Sequence, residues 1–441
     1  MRPILIFIFL LFSFSAPAQM TTRVIRDSLN IPWEILWGPD DHIWFTQRNG
    51  YVCRMEPVSG HIDTLLHETA AVAQGEGGML GMALHPDLSS QPYVYVAYNY
   101  NQGGYKERVV RYTYSNNALG SPVTLVDNIA ASNIHNGCRL LVVGDKLFIT
   151  TGDAANTGLP QSVSSLNGKV LRINLDGSVP ADNPIPGSRV WSWGHRNAQG
   201  LIHANGHLYA TEHGPNSDDE INIIHRGRNY GWPDVRGFCD EPAEVSFCND
   251  SSVVEPLRAW TPTIAVCGID YYNHPMFPAL QGSILMTTLK EQQLYRLKLN
   301  GSFDSVTNVS VVFNNTFGRL RDVCISPQGE IYISTSSSGN ANKIIELYDP
   351  AFTAVTDIAG SSEIAIYPNP MGDYTLVRLP SALQQQELAY SIVSESGKTV
   401  IRGVLKQSGE RIATGSLPRG VYHIRITDKE GKHYSRKILK Q

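Results

Sequence analysis

The stretch GDKLFITTGD at residues 144–153 places turn-forming residues in front of an apolar run that ends on two threonines. The same phrase recurs along the chain, and its apolar runs begin at Ile43, Val94, Leu147, Leu208, Ile284 and Ile331. One copy per roughly 55 residues suits a four-stranded sheet with long insertions, and radial repetition of such sheets protects their edges. The repeat therefore predicts an all-β fold, a six-bladed β-propeller. Chance recurrence of strand and turn chemistry is the alternative.

The composition favours the same fold class and excludes two kinds of partner. The 441 residues are 42% hydrophobic, with 38 Gly, 25 Pro and 20 Tyr but only 17% charged residues. This is typical of a globular protein with many turns and half-buried strands rather than long helices. The net charge of −4 provides no general attraction to nucleic acid or to anionic membranes, so we expect neither as a partner.

The N-terminus predicts export. Residues 1–18 combine a positive charge at Arg2, an apolar run from Ile4 to Phe12 and a small-residue cleavage site, APA, at 16–18. The run is too short for the ~20 residues that span a bilayer, so we prefer a removable signal peptide to a membrane anchor. The mature chain is expected to begin at Gln19 and to contain no membrane span.

Secretion would expose the six cysteines to an oxidising compartment. Cys239 and Cys248 enclose a short polar segment with little periodicity, and they form the best candidate pair for a disulfide. The other four lie in apolar, strand-like contexts and could equally be buried thiols; they are Cys53, Cys138, Cys267 and Cys324. No Cys or His spacing indicates a zinc site.

The composition changes after residue 348. Residues 349–362 are small and polar without periodicity, which predicts a linker between the domain at 19–348 and the tail. Residues 363–441 hold 12 basic and 7 acidic residues, a charge of +5, against −10 for residues 19–362, which are the preceding domain and the linker. Segments such as YTLVRL and VYHIRIT alternate apolar and polar residues, so we expect a small C-terminal β-sandwich.

This tail resembles the C-terminal sorting domain of the type IX secretion system of Bacteroidetes. The likeness rests on IYPNP at 366–370, SGK at 396–398 and LPRGVY at 417–422. It implies recognition by the type IX secretion machinery, a secreted or cell-surface location after passage through the periplasm, and removal of the tail. An ordinary accessory β-sandwich is the alternative.

Five polar motifs fall near predicted strand ends in residues 19–348, where loops from neighbouring sheets would converge. They are GEGGMLG at 75–81, NIHNGCR at 133–139, GHRNAQGL at 194–201, EHGPNSDDEIN at 212–222 followed by NYGWP at 229–233, and GRLRDV at 318–323. Taken singly, each is also compatible with an ordinary turn or a surface pair.

These motifs carry distinct chemistry. His135 could act as a base, because histidine titrates near neutral pH. Arg196 and Asn197 can hold carboxylate and carbonyl oxygens in fixed geometry. The carboxylates and turn carbonyls from residue 212 onward suit calcium, which takes about 6 to 8 oxygen ligands. Arg319 and Arg321 lie two apart on one face of a strand, and their charges repel unless an anion lies between them.

In this order, the five motifs together resemble the soluble pyrroloquinoline quinone (PQQ) dependent glucose/sorbosone dehydrogenases, from IPW at 31–33 to about Leu347. The resemblance implies a secreted quinoprotein that oxidises the anomeric carbon of an aldose to the lactone by hydride transfer to PQQ. An external electron acceptor would then reoxidise the cofactor. The catalytic residues implied are His135 as the general base, with Arg196 and Glu76.

The same resemblance implies residues that bind PQQ, residues that bind two calcium ions, and residues that contact the substrate. PQQ would be held by Arg196, Asn197, Lys290, Arg319 and Arg321. A catalytic calcium would take the backbone carbonyls of Gly214 and Pro215, and a second, structural calcium would take Asp219, Glu220 and Tyr230. Glu76 and Tyr271 are assigned to the substrate.

Two departures from the family keep other functions open. Glu76 stands where glutamine is usual, which would alter substrate hydrogen bonding, and Cys138 stands where glycine is usual, which would narrow the pocket. Both favour a non-catalytic propeller that binds carbohydrate or protein. A calcium-dependent propeller lactonase is the other alternative; it needs a metal with an open position but no arginine pair, so Arg196, Arg319 and Arg321 argue against it.

Overall fold

A computed structural model describes residues 19–314, 316–337, 339–350, 352, 364–367, 369–379, 383, 387–394, 398–427 and 433–440. The predicted signal peptide, most of the predicted linker, and Pro368, Ser396 and Gly397 of the tail motifs lie outside the described residues. The chain divides into two compact units, which meet in sequence between residues 352 and 353.

Strands dominate the first unit, as expected for a mostly β protein. Its described residues form 24 strands in six antiparallel sheets of four strands each. In chain order the strands are β1 (Thr21–Leu29), β2 (Pro32–Trp37), β3 (Ile43–Gln47), β4 (Tyr51–Met55), β5 (Ile62–His67), β6 (Met79–Leu84), β7 (Tyr93–Asn101), β8 (Tyr105–Ser115), β9 (Ala118–Ala130), β10 (Gly137–Val143), β11 (Lys146–Thr151), β12 (Lys169–Asn174), β13 (Val190–Trp193), β14 (Ala198–Ala204), β15 (His207–Glu212), β16 (Asp219–Ile223), β17 (Arg258–Trp260), β18 (Val266–Tyr272), β19 (Ser283–Thr288), β20 (Gln293–Leu299), β21 (Val306–Asn314), β22 (Leu320–Ile325), β23 (Ile331–Thr335) and β24 (Asn342–Tyr348).

The recurring apolar phrase of the sequence is one particular strand of each sheet. The sheets are β2–β5, β6–β9, β10–β13, β14–β17, β18–β21 and β22–β24 completed by β1, and the phrase forms the strands β3, β7, β11, β15, β19 and β23. These strands are buried along almost their whole length. A strand that is covered on both faces reads as a continuous apolar run rather than as an alternation, which is why the phrase is so visible in the sequence.

The first strands of the sheets surround a common centre. Each of β2, β6, β10, β14, β18 and β22 contacts the next one, and β22 contacts β2. The N-terminal strand β1 pairs with β24 in an antiparallel register from Thr21–Tyr348 to Leu29–Asn342, so the two ends of the unit share one sheet. Four-stranded sheets closed in this way fit a β-propeller, in which closure covers the sheet edges.

A buried ion cluster crosses this centre. The Arg139 Nη1 atom lies 2.6 Å from Glu34 Oε1 and 2.9 Å from Asp322 Oδ2. The Ile35 backbone N–H also donates to Asp322 Oδ2, at 2.8 Å. Glu34, Arg139 and Asp322 line a cavity of about 560 Å³, and a second cavity of about 460 Å³ is lined by residues at the N-terminal ends of the inner strands. The ion cluster therefore forms part of the wall of the first of these cavities.

The described residues include one α-helix, α1 (Pro242–Ser251), and one 3₁₀ turn, Pro278–Leu280. A disulfide joins Cys239 to Cys248, which confirms the predicted pair and fastens α1 to the segment that precedes it. The other four cysteines are buried free thiols. Within the described parts of the chain, we find no helix whose length and apolarity would allow it to cross a membrane.

The second unit is a C-terminal β domain. Its described strands are β25 (Ala365–Tyr367), β26 (Tyr374–Arg378), β27 (Leu388–Ser394), β28 (Thr399–Leu405), β29 (Glu410–Ala413), β30 (Gly420–Thr427) and β31 (His433–Lys440). They form two antiparallel sheets, ordered β25-β26-β29 and β28-β27-β30-β31. Val377 and Ile412 from the first sheet share one core with Ile392, Ile424 and Ile438 from the second. The alternating pattern of the tail therefore produces two sheets that bury their apolar faces together.

Candidate active site

The cavity of about 460 Å³ lies at the N-terminal ends of the inner strands. Three guanidinium groups line it, from Arg48, Arg319 and Arg321, together with the carboxylate of Glu76. Burial and the neighbouring charge of Arg321 lower the pKa of both Arg48 and Arg319. A chamber with this excess of positive charge is suited to an anionic ligand, which would relieve the repulsion among the arginines.

His135 lies in the loop that leads into β10. Its Nδ1 atom is 2.8 Å from Asp153 Oδ1, and its Nε2 atom is 3.0 Å from Arg196 Nη2. A carboxylate only accepts hydrogen bonds and a guanidinium only donates them. The proton of the neutral imidazole is therefore assigned to Nδ1, which leaves the lone pair on Nε2. These two contacts fix the tautomer of His135, with Nε2 facing Arg196.

Asp153, which sequence reasoning did not select, is the partner that fixes His135. It follows β11 and is 1% exposed. Its Oδ1 atom also accepts from the backbone N–H of Ala155 at 2.7 Å, and its Oδ2 atom accepts from Trp232 Nε1 at 2.9 Å. Asp153 is the last residue of the phrase GDKLFITTGD. An acidic residue directly after this buried strand could therefore have been recognised in the sequence as a candidate site residue.

Arg321 and Arg319 are held along the cavity wall by neutral partners. Arg321 Nη1 donates to Gln199 Oε1 at 2.9 Å, and its Cζ atom lies 5.6 Å from the centre of the Trp33 ring. Arg319 Nε donates to the Ser336 carbonyl at 3.2 Å. These contacts leave the positive charge of both side chains without a carboxylate partner among the hydrogen bonds of the described residues. The predicted pair therefore reaches one chamber, and Arg48 joins it there.

Arg196 contacts the histidine rather than the arginine group. Its Nη1 atom donates to the carbonyl of His213 at 2.9 Å, and its backbone N–H donates to Glu212 Oε1. Its Cζ atom lies 5.3 Å from the centre of the Trp232 ring. Arg196 therefore contacts both His135 and the segment from residue 212 onward that was predicted to bind calcium.

Three other predicted residues occupy different surroundings. Asn197 is 1% exposed, and its Oδ1 atom accepts from Gly137 N at 3.1 Å and from Gln199 Nε2 at 3.0 Å. Lys290 is exposed and donates to Thr263 Oγ1 at 3.4 Å, while Tyr271 packs edge-on against Phe303. Asn197 thus supports two cavity-lining residues, whereas Lys290 and Tyr271 are not part of the cavity lining.

A smaller cavity of about 10 Å³ lies beside Arg196. Its walls include Glu212, Gly214, Pro215, Asp218 and Glu220. Burial and the negative charge of Glu212 together raise the pKa of Glu220 to about 8. Carboxylates crowded in this way are stabilised by a cation, and the space admits one small ion.

The remaining residues of the predicted calcium set are already bonded. Both Asp219 oxygens accept backbone N–H groups, with Gly214 at 2.9 Å and Ile264 at 2.8 Å. The Tyr230 hydroxyl donates to the Ile223 carbonyl at 2.6 Å, and its ring stacks on His195. No group of three or more His, Cys, Asp or Glu side chains arranged to hold a metal occurs among the described residues. A cation here would depend on backbone carbonyls as well as on carboxylates.

Glu76 lies against the loop of the histidine. Its Oε2 atom accepts the backbone N–H of His135 at 3.2 Å, and its own N–H donates to the Asn133 carbonyl at 2.7 Å. Gly75 makes this contact possible, because its φ is +56° and a Cβ atom there would lie 2.1 Å from the Asn133 oxygen. The glycine-rich motif therefore places the Glu76 carboxylate in the cavity lining, next to the loop that carries His135.

Cys138, the second departure from the family, is fully buried beside Glu107. Its φ of 77° is one that side chains other than glycine rarely adopt. Burial raises the pKa of Glu107 to about 8, and contacts with Cys138 and Asn99 offset only part of that effect. The thiol thus contacts a carboxyl group that keeps its proton at neutral pH.

We expect Glu107→Gln to flatten the pH dependence of stability. An unfolded glutamate titrates near pH ~4.3, so between there and pH 8 the unfolded chain has released a proton that the folded chain retains, and stability falls as pH rises through this window. The variant should reduce that slope by about 1 kcal/mol per pH unit. Denaturant unfolding at pH 5 to 8, followed by tryptophan fluorescence, measures it, since every tryptophan lies in the first unit.

The matched control is Glu291→Gln, because Glu291 is exposed. Its slope should equal that of the unchanged protein. If Glu107→Gln also leaves the slope unchanged, Glu107 is ionised in the folded chain and this assignment is wrong.

Comparisons with known proteins agree with these features. Residues 29–348 match the Glucose / Sorbosone dehydrogenase family, and residues 365–441 match the Secretion system C-terminal sorting domain. The quinoprotein glucose dehydrogenase B of Acinetobacter calcoaceticus is 31% identical over 413 residues, covering 73% of this chain and 86% of that protein. The aldose sugar dehydrogenase YliI of Escherichia coli is 30% identical over 353 residues, covering 75% and 94%.

Solved structures show the same relationship. The PQQ-bound form of aldose sugar dehydrogenase from Streptomyces coelicolor is 31% identical, with a TM-score of 0.64, and the match covers 76% of this chain and 99% of that one. The family match spans well over half of the sequence and includes the inner strands and loops that build the cavity of about 460 Å³. The chain therefore belongs to the glucose/sorbosone dehydrogenase family of oxidoreductases and carries a secretion-system sorting domain at its C-terminus.

Proposed function

We propose that the protein is an exported PQQ- and calcium-dependent aldose dehydrogenase that oxidises the anomeric carbon of its sugar to the lactone. Residues 19–348 would form a six-bladed propeller that carries the activity. Residues 349–362 would link it to the sorting domain at 363–441, and residues 1–18 would be removed as a signal peptide. The sorting domain indicates export to a secreted or cell-surface location, and we assign its recognition to the type IX machinery.

One arrangement carries this proposal: a histidine base with a fixed tautomer stands beside a chamber lined by three arginines. Arg48, Arg319 and Arg321 suit the carboxylates of PQQ, and the buried Arg321 Nε atom has no hydrogen-bond partner among the described residues. Arg196, Asn197 and Lys290 complete the set of residues proposed to bind PQQ; Lys290 follows the cavity-lining residue Leu289. When bound, PQQ would supply the electrophilic quinone that accepts the hydride. An external electron acceptor would then take two electrons from the reduced cofactor, and the protons would pass to the solvent.

The proposed calcium ligands include residues that line the cavity of about 10 Å³. The carbonyls of Gly214 and Pro215 would provide neutral oxygen ligands to the catalytic calcium, and Glu220 would provide a carboxylate to the structural calcium. The raised pKa of Glu220 supports this assignment, because a cation would favour the ionised carboxylate. We keep Asp219 and Tyr230 in the structural set, where their existing bonds would fix the loops around the ion.

The residues of the chain divide the proton chemistry between them. His135 Nε2 would accept the proton of the anomeric hydroxyl, and Asp153 would stabilise the imidazolium that forms. Arg196 now donates to that lone pair, so an acidic group in the chamber would compete for Arg196 and free Nε2. Glu76, bonded to the His135 backbone, would fix the loop and accept a hydroxyl of the sugar.

The first test is dye-linked oxidation of a panel of aldoses by the mature chain. We expect turnover only when PQQ and calcium are both present, loss of turnover in EDTA, and recovery on adding calcium. Magnesium is the control ion, because it prefers a smaller octahedral site that keeps several waters. No turnover of any aldose, with no change in the PQQ absorbance on mixing, would overturn the proposed function in favour of a binding propeller.

A further inference from the structure

Trp232 touches both groups that hold the imidazole of His135. Its indole Nε1 donates to Asp153 Oδ2 at 2.9 Å, and Asp153 Oδ1 lies 2.8 Å from His135 Nδ1. The face of the same ring lies 5.3 Å from the Cζ atom of Arg196, whose Nη2 is 3.0 Å from His135 Nε2. The four side chains therefore form a closed ring of contacts in which each residue touches two others.

We propose that Trp232 is a positioning residue for His135, setting the carboxylate on one imidazole nitrogen and the guanidinium on the other. The inference rests on the proposed role of His135 as the base. Trp232 does not reach the reacting atoms itself; it acts through Asp153 and Arg196.

The chemistry of the indole suits this task. Its single N–H is a donor that cannot ionise or accept, so it fixes the direction of the Asp153 carboxylate at any pH. Asp153 Oδ1 is shared by His135 and the Ala155 N–H, while Oδ2 has Trp232 as its hydrogen-bond partner among the described residues. With both oxygens bonded, rotation of the carboxylate is blocked, and the Nδ1 partner stays in place.

The ring itself is held firmly. Trp232 is 9% exposed, its backbone N–H donates to the Gly194 carbonyl at 3.0 Å, and its carbonyl accepts from Gln161 Nε2 at 2.7 Å. Arg236 lies over the ring as well, with its Cζ atom 5.9 Å from the centre. A guanidinium over an indole face is attracted to it, so a fixed ring restricts where Arg196 can lie.

The kinetic test uses Trp232→Phe in the mature chain with PQQ and calcium. This change removes the N–H but keeps an aromatic face for Arg196. We expect kcat to fall about tenfold while KM and the affinity for PQQ stay within about twofold, since general-base catalysis is worth roughly 10² to 10⁴ and only part of it depends on alignment. The matched control is Trp191→Phe, because Trp191 Nε1 has no hydrogen-bond partner in the described structure; its kinetics should not change.

A double-variant cycle separates positioning from general damage. If Trp232 acts through Asp153, adding Trp232→Phe to the Asp153→Asn variant should not lower kcat any further. An equal loss in both backgrounds would overturn the proposal. Benzothienylalanine at position 232 has the shape of tryptophan without the N–H, so it gives the same test if the phenylalanine variant folds poorly.

A spectroscopic arm does not depend on turnover. In cofactor-free protein with ¹⁵N-labelled histidine, the Nδ1–H proton of His135, identified by its absence in His135→Ala, should give a low-field resonance. Trp232→Phe should shift or broaden it, and Trp191→Phe should not. An unchanged resonance in Trp232→Phe would overturn the inference even if the enzyme oxidises sugars, whereas absence of sugar oxidation in the unchanged protein would count against the proposed function alone.

Discussion

His135→Ala is expected to lower kcat for aldose oxidation by about 10³-fold, with a much smaller change in PQQ affinity. The hydrogen bond to Asp153 places the imidazole proton on Nδ1, so the Nε2 lone pair, which accepts from Arg196, is the proposed acceptor of the sugar proton. Water would have to replace it as the proton acceptor, and positioned general bases contribute roughly 10² to 10⁴ in rate. Steady-state kinetics at saturating PQQ and calcium measure the effect.

The control for this variant is His203→Ala, because His203 is exposed on β14. It should retain full activity. A His135→Ala protein that keeps more than about a tenth of the activity would show that another group takes the proton, because a true base is worth at least ~10²-fold. Glu76 would then be examined next, since its carboxylate lines the same chamber.

The fold was predictable because burial leaves a direct trace in the sequence. Strands such as β11 and β23 are covered on both faces and therefore appear as apolar runs at a regular spacing. The pairing of β1 with β24 leaves no such trace, because its exposed residues alternate weakly and its partner lies over 300 residues away. Closure of the unit could only be seen in the structure.

The site was predictable where chemistry follows from local spacing. Arg319 and Arg321 reach one chamber because residues two apart on a strand share a face. Asp153 and Trp232 were missed because their roles depend on contacts across 18 and 79 residues. Each of them also looks ordinary in its own segment, one as a turn residue and the other as a core aromatic.

Local sequence also does not show which side chains are already hydrogen-bonded. Asp219 reads as an available carboxylate in a stretch of acidic residues, yet Asp219 Oδ2 accepts N–H groups from Ile264 and Ala265. Those donors come from a loop more than 40 residues later, so local sequence cannot show that the carboxylate is occupied. Charge patterns identify which residues can bind an ion, and hydrogen-bond partners decide which of them remain free to do so.

Arg321→Gln is expected to weaken PQQ binding by about 10²- to 10³-fold, because truncating a buried charged partner costs roughly 2 to 5 kcal/mol. Arg321 is held against Trp33 and Gln199 by neutral contacts, so its charge is directed to the chamber rather than cancelled. Glutamine preserves hydrogen bonding but removes that charge. Titration of PQQ into the cofactor-free protein at fixed calcium and ionic strength, followed by tryptophan fluorescence, gives the dissociation constant.

Stability distinguishes this binding role from a structural one. Burial and then the charge of Arg321 lower the pKa of both Arg48 and Arg319, so removing that charge should leave the thermal midpoint of the cofactor-free protein unchanged or higher. Arg258→Gln, at an exposed position on β17, is the matched control and should change neither quantity. Arg321→Lys retains the charge without the planar fork and should bind PQQ with intermediate affinity. The loss of a desolvated charge pair weakens binding by far more than threefold. If Arg321→Gln binds PQQ within about threefold as tightly as the unchanged protein, Arg321 does not belong to the cofactor site.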